Sequence, residues 1–286
     1  MELIIAGMVL LSAAIHPFWN LFLKQEPDTQ LGYLGLTFVL AGCALIHALV
    51  AGSDLWSVGA VLPIIFVSWC GQILYGTCLT ATLNRGDLSA YYPIIRASPV
   101  FIVIVGVVLL GASYSWYVLL GMVMAVAGGF ILLYRRGTHF LEDPKTLGLA
   151  LLAMSGTGIY SLADADLMKT LEPEVQLFWV ETLLIPVYLI LFLRRRTHTR
   201  YDDPRPLASR AVMLVVPGIM AYGSYYLILM AYQMGAEVAA VTSVRQASIP
   251  ISVMLGGFFL REGAIARRLI AASLLAAGIV VIVMMG

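Results

Sequence analysis

Ten stretches of this chain are each as long and as apolar as a helix that crosses a bilayer, and together they leave almost nothing over. A hydrocarbon layer about 30 Å thick takes about 20 apolar residues in a helix. Such runs lie at 3–23, 31–50, 58–82, 88–110, 114–134, 147–168, 175–193, 210–232, 238–260 and 264–285. Lipid gives backbone N–H and C=O groups no partner, so each run is expected to satisfy its own by coiling into a helix. The longest polar gaps, RRGTHFLEDPK and RRRTHTRYDDPRPLASR, are too short for a separate domain. Only 12% of residues are charged, where soluble proteins carry about a quarter. The expectation is an all-α integral membrane protein of ten transmembrane helices. Its N-terminus, Met-Glu-Leu without a basic stretch, reads as a retained first helix rather than a leader.

Several functions are disfavoured by composition. A net charge of +1 offers nothing to nucleic acid. Cys43, Cys70 and Cys78 all lie in apolar runs, without the spacing of a disulfide framework or a zinc site. The chain has no HExxH, no GxSxG and no phosphate-binding P-loop, so no metal, cofactor or nucleotide is expected, nor an enzyme.

The loop charges orient the chain. Arg96 and Arg245 sit well inside runs; of the other lysines and arginines, all but Lys169 fall in loops after odd-numbered runs or at the very start of the run that follows. Positive residues stay on the cytoplasmic side, which puts both termini outside. Arg194-Arg195-Arg196 reads as an anchor beside anionic lipid headgroups.

The two halves also repeat. LNRGDLSAYYPIIRASPVFIVIVGVVLLGA aligns with YQMGAEVAAVTSVRQASIPISVMLGGFFLRE, matching Gly86 to Gly235 and Arg96 to Arg245. After one inserted residue, Gly106 meets Gly256 and Leu110 meets Leu260; farther on, Gly128 meets Gly278. Residues 1–140 and 141–286 thus read as two five-helix repeats within one membrane domain. Because five is odd, the second copy enters from the opposite side, an inverted-topology repeat of the kind alternating-access transporters use.

On these features the chain resembles the drug/metabolite transporter superfamily, in its EamA-like branch. The carriers of the likeness are the five-plus-five pattern and the Leu260-Arg261-Glu262-Gly263 turn before a small-residue last helix. His16-Pro-Phe-Trp19-Asn20 with Lys24 adds to it. The resemblance implies a multi-pass transporter of small metabolites, amino acids among them. The first-half counterpart of Arg261-Glu262 is Gly111-Ala112, and familiar members place both termini inside, opposite to the charge reading here.

Arg96 and Arg245 are the leading candidates for function. Each lies about eight residues into its run, about 12 Å below one surface, so from opposite faces they approach the midplane. An arginine there costs at least about 3 kcal/mol unless something repays it. Together they are expected to face a central cavity and bind a carboxylate or phosphate; the competing reading is that each snorkels to the interface or bonds to carbonyls freed by Pro93, Pro99 and Pro250. Tyr75, Tyr92, Tyr222 and Tyr225, with His16, Trp19 and Asn20, form polar and aromatic stripes that suit an organic solute, or that only pack. Asp164 and Glu181 are candidates for carrying a proton, with a salt bridge to Arg96 or Arg245 as the alternative. Asp166 points elsewhere on its helix, and Asp87 and Glu237 read as N-caps. His47 and His139 show no partner in the sequence.

The expected function is therefore secondary transport of a small metabolite with an anionic group: a carboxylate, phosphate, phosphonate or amino acid. Export of cationic or neutral compounds and a membrane-embedded enzyme acting on a lipid-linked substrate are the alternatives. The expected location is the bacterial inner membrane, in contact with lipid. Gly121, Ala125, Gly128 and Gly129 allow close packing within the chain or between chains, so monomer and homodimer both stay open.

Overall fold

A computed structural model describes residues 1–24, 29–85, 88–133, 143–196, 206–251 and 265–285. Asp87, His139 and the Leu260–Gly263 turn lie outside those residues, as does the side chain of Asn20. Among the described residues the chain is entirely helical, without strands. The helices are α1 (Leu3–Lys24), α2 (Thr29–Ala51), α3 (Leu62–Arg85), α4 (Leu88–Arg96), α5 (Ser98–Leu110) and α6 (Trp116–Leu133). They continue as α7 (Pro144–Leu167), α8 (Pro173–Arg196), α9 (Leu207–Gln233), α10 (Val238–Val244) and α11 (Ile265–Met285). Each apolar run of the sequence is helical where described, two of them in broken pieces.

Among the described residues, five stretches are long and apolar enough to cross a membrane: Gln30–Ala51, Gly59–Thr82, Pro144–Leu167, Pro173–Arg194 and Ala211–Gln233. Between 22% and 39% of their most apolar windows is buried inside the protein, so most of their surface needs another apolar environment. Val50, Phe66, Val108 and Leu109 all face outward. In water that surface would drive aggregation; in lipid it is solvated. Trp56 and Trp116, both exposed near helix ends, fit the interfacial belt where indole N–H groups meet water. The protein is a membrane protein.

Helix pairing is set by small residues. Without a hydrophobic drive inside lipid, helices associate through close backbone contact. Gly71 on α3 and Gly156 on α7 meet so closely that a Cβ on Gly156 would lie 2.6 Å from the Tyr75 nitrogen. Gly121 on α6 and Gly278 on α11 repeat the device: a Cβ on either would stand 2.6 Å from the other's carbonyl oxygen. Here the small-residue stripe on α6 serves a contact within the chain. The remaining pairings are α2 with α8 and α9, α1 with α9, α4 and α5 with α7, and α10 with α5 and α6.

Two polar expectations change, and the outward placement of Asp166 holds. Glu237 occupies the N-cap of α10, but its side chain makes no capping bond; its backbone carbonyl receives the Val241 N–H instead. His47 has a partner after all, with Nδ1 2.6 Å from the Tyr222 hydroxyl. Asp166, near the end of α7, is half exposed and paired with Lys169 at 2.8 Å. Asp143, just ahead of α7, does act as an N-cap, accepting from the Lys145 and Thr146 backbone N–H groups.

Candidate functional site

Arg96 and Arg245 both lie at interruptions of their helices. The first run breaks at Ala97, between α4 and α5, directly after Arg96. The second breaks at a single 3₁₀ turn, Arg245–Ala247, before residues 248–251 resume the helix. Pro99 enters the first turn of α5, where its missing N–H costs nothing, and Pro250 lies at the corresponding point after the second break. The prolines start new helical pieces rather than kink continuous ones.

A break frees carbonyls that lipid cannot satisfy. Each break here is satisfied by the other. The Gln246 side-chain amide donates to the Arg96 carbonyl at 2.6 Å. Arg96 Nη2 donates to Ser248 Oγ at 2.5 Å and reaches the Arg245 carbonyl at 3.5 Å. That same carbonyl accepts from Ser248 Oγ at 2.9 Å. Two segments about 150 residues apart in sequence are thus stitched at their midpoints.

The stitching divides the arginines' roles, which the sequence presents as equal. Arg96 is partly structural, in the manner of the carbonyl-bonding alternative. Its Nε remains buried without a hydrogen-bond partner, and its guanidinium lies 6.0 Å from the Tyr92 ring centroid. The Arg245 guanidinium lies 6.0 Å from the Tyr225 ring centroid and makes no hydrogen bond or ion pair among the described residues.

Both arginines line one cavity, about 1170 Å³ of empty space with its open mouth included. His16 and Trp19 from α1, Gln72 and Tyr75 from α3, Glu181 from α8 and Tyr225 from α9 complete the part that sequence stripes pointed to. His16 and Trp19 meet edge to face, with ring centroids 4.8 Å apart, and His16 feels the charge of both arginines. Tyr92, with its ring under the Arg96 guanidinium, is not among the lining residues, and Tyr222 turns away to His47. Tyr33, Tyr160 and Tyr188 also line the cavity, and Tyr33 stacks on Tyr188 with ring centroids 5.9 Å apart. No stripe in the sequence singled out Tyr33 or Tyr188.

The two acids behave differently. Asp164 is fully buried one turn beyond Tyr160, and no arginine pairs with it among the described residues. Its Oδ1 accepts from Ser68 Oγ at 2.5 Å and from Gln176 Nε2 at 2.7 Å, while Oδ2 accepts from the Tyr225 hydroxyl. Three donors from α3, α8 and α9 therefore converge on one carboxylate at one end of the cavity. Beyond it lies the largest packed cluster, with Val9, Ile65, Leu167, Leu177, Ile228 and Val244 among its members. Glu181 is only 7% exposed, lines the cavity, and has no hydrogen-bond or ion-pair partner among the described residues. No group of acids, histidines and cysteines suited to a metal ion occurs among the described residues.

Comparison with known proteins adds the fold alone. No family model matches the chain, and no curated protein does. A protein known from its crystal structure superposes with a TM-score of 0.76, covering 97% of this chain and 95% of its own, at 17% identity. At that identity the likeness shows a shared architecture and carries no activity.

Proposed function

We propose that the protein is a secondary transporter that moves a small metabolite with an anionic group across the membrane by alternating access. The observation that carries this reading is the pair of arginines at matched helix breaks lining one cavity. A guanidinium kept at membrane depth is costly and marks a solute path. Arg245 in particular offers its N–H fork to the cavity, and a carboxylate or phosphate fits that fork in two parallel bonds.

The reading includes ten spans in two inverted five-helix repeats, of the drug/metabolite transporter type in its EamA-like branch. The packing supports it. Shifting every span by five exchanges the α1–α9 contact with the α3–α7 contact, and maps the α2–α8 and α6–α11 contacts onto themselves. It also exchanges the packing of α4 on α7 with that of α10 on α1. A chain built this way can rock one repeat against the other around a fixed central site. The end beyond Asp164 is packed shut, as one of two alternating seals would be.

The location proposed is a bacterial inner membrane, with both termini outside as the loop charges argue. No enzyme activity is proposed, since the cavity shows guanidinium, phenol and carboxyl groups without an activated nucleophile. Glu181 and the tyrosines favour one second reading, the export of cationic compounds. Reconstitution decides between them. In liposomes, a carboxylate or phosphate solute should be taken up or exchanged by the parent and lost in Arg245→Ala. Uptake of amines alone, unaffected by that change, would favour the second reading.

A further inference from the structure

The cavity has charge of both signs, on different walls. Arg96 and Arg245 come from α4 and the turn after α10; these pack mainly on α1, α5, α6 and α7, with lesser contacts of α4 with α3 and of α10 with α9. Glu181 comes from α8, which packs on α2, α3 and α9. On α8 the positions Glu181, Leu184 and Tyr188 fall at helical spacing and all face the cavity. Tyr188 lies close enough to feel the charge of Glu181.

A buried carboxyl group without a partner is expensive, and proteins keep such groups where something else completes them. The nearby acid, Asp164, shows the contrast: its oxygens already take three donors, so it has little left for a ligand. Glu181 has its full capacity open to the cavity, opposite a guanidinium in the same condition. Each lacks the partner that the other's sign would attract, yet the two do not meet within ion-pair distance. A solute that spans them would supply both missing partners at once.

Building on the proposed transport site, we infer that Glu181 is the ammonium subsite of this cavity and that the solute is a zwitterion. Its acidic group sits on the Arg245 and Arg96 side, its protonated amine on Glu181, and its body lies among the tyrosines between. Tyr33 and Tyr188, stacked beside Glu181, add electron-rich ring surface that favours a cation. A simple anion would leave Glu181 buried and unpaired, and a simple cation would do the same to Arg245. The cavity therefore discriminates by demanding both charges.

The test uses the purified full chain and matched probes: the common α-amino acids and short ω-amino acids, each with its N-acetyl derivative (anion only) and its decarboxylated amine (cation only). Binding is read by titration of intrinsic tryptophan fluorescence. At least one zwitterion should bind about tenfold or more tighter than both counterparts, as one charge-assisted contact implies. In Glu181→Gln its advantage over the N-acetyl form should shrink to within about threefold, while Glu181→Asp should keep it. The inference is overturned if no zwitterion outbinds its N-acetyl form, or if the advantage survives Glu181→Gln. If N-acetyl anions still bind in an Arg245-dependent manner, only the zwitterion inference fails. If anion binding ignores Arg245→Ala, the transport-site reading fails with it.

Discussion

Gly156→Ala puts the helix-pairing account to a quantitative test. A Cβ at Gly156 would lie 2.6 Å from the Tyr75 nitrogen, 2.8 Å from the Gly71 carbonyl oxygen and 3.0 Å from the Tyr75 Cα. All three atoms are backbone, so no side chain can rotate away. Ordinary contact begins near 3.4 Å, and α3 and α7 must part by about 0.8 Å, an overpacking cost of about 1–3 kcal/mol. Alanine offsets part of this, since it is a better helix former than glycine by about 0.5–1 kcal/mol. The net loss is about 0.5–2 kcal/mol, which at about 2–4 °C per kcal/mol lowers the melting temperature by several degrees. Gly148, on the same helix, has nothing within 4 Å of its would-be Cβ. Gly148→Ala gains the propensity alone and should be neutral or slightly stabilising. Both variants can be followed by thermal unfolding in detergent with tryptophan fluorescence. Equal melting of Gly156→Ala and parent, or destabilisation by Gly148→Ala, would refute the reasoning. Because Tyr75 and Tyr160 flank this contact and line the cavity, solute binding should weaken in Gly156→Ala as well.

Asp164→Ala leaves the buried Gln176 amide without its acceptor and should cost about 1–3 kcal/mol. Asp164→Asn keeps an oxygen for Ser68 and Gln176 and lets the Tyr225 hydroxyl accept instead, so it should melt much closer to the parent; equal losses would remove the acceptor role. Hydrogen bonds from Thr146 hold the Asp143 carboxyl below its ordinary range. A depressed carboxyl contributes stability above its unfolded pKa and loses it as pH falls through the folded one. The melting difference between parent and Asp143→Ala should therefore be full at neutral pH and shrink below about pH 4. A difference that grows on acidification contradicts the cap. For orientation, a reporter fused after Gly286 that is active only outside the cytoplasm should be active, and silence there reverses the topology.

The helical runs and the place of the two arginines were legible because lipid imposes a length and penalises charge, and both leave plain marks on a sequence. The inward face of each helix was much harder to read. In a soluble helix the polar side marks solvent, but here the outside is as apolar as the packing, so periodicity loses its meaning. Tyr222 and Tyr225, three residues apart, looked equivalent; one meets His47 and the other enters the cavity. Nothing flagged Tyr33, whereas Tyr188 could have been found from its helical spacing to Glu181, two turns earlier. The unequal roles of Arg96 and Arg245 depend on Ser248 and Gln246, whose reach across the two breaks is a tertiary fact. Glu181 carried a signal only as an acid in an apolar run; that it lacks a partner can be seen only in three dimensions.

Arg245 offers the most direct measurement, because its guanidinium bonds to nothing among the described residues and its removal should leave the fold intact. The affinity of the best-binding carboxylate or phosphate solute should be measured in parent and Arg245→Ala by the same fluorescence titration, with melting temperature as the control. A charge-assisted bond of about 1.5–3 kcal/mol predicts a loss of roughly 10- to 100-fold at nearly unchanged melting temperature. Affinity within about threefold of the parent, in a variant that melts normally, would contradict the account.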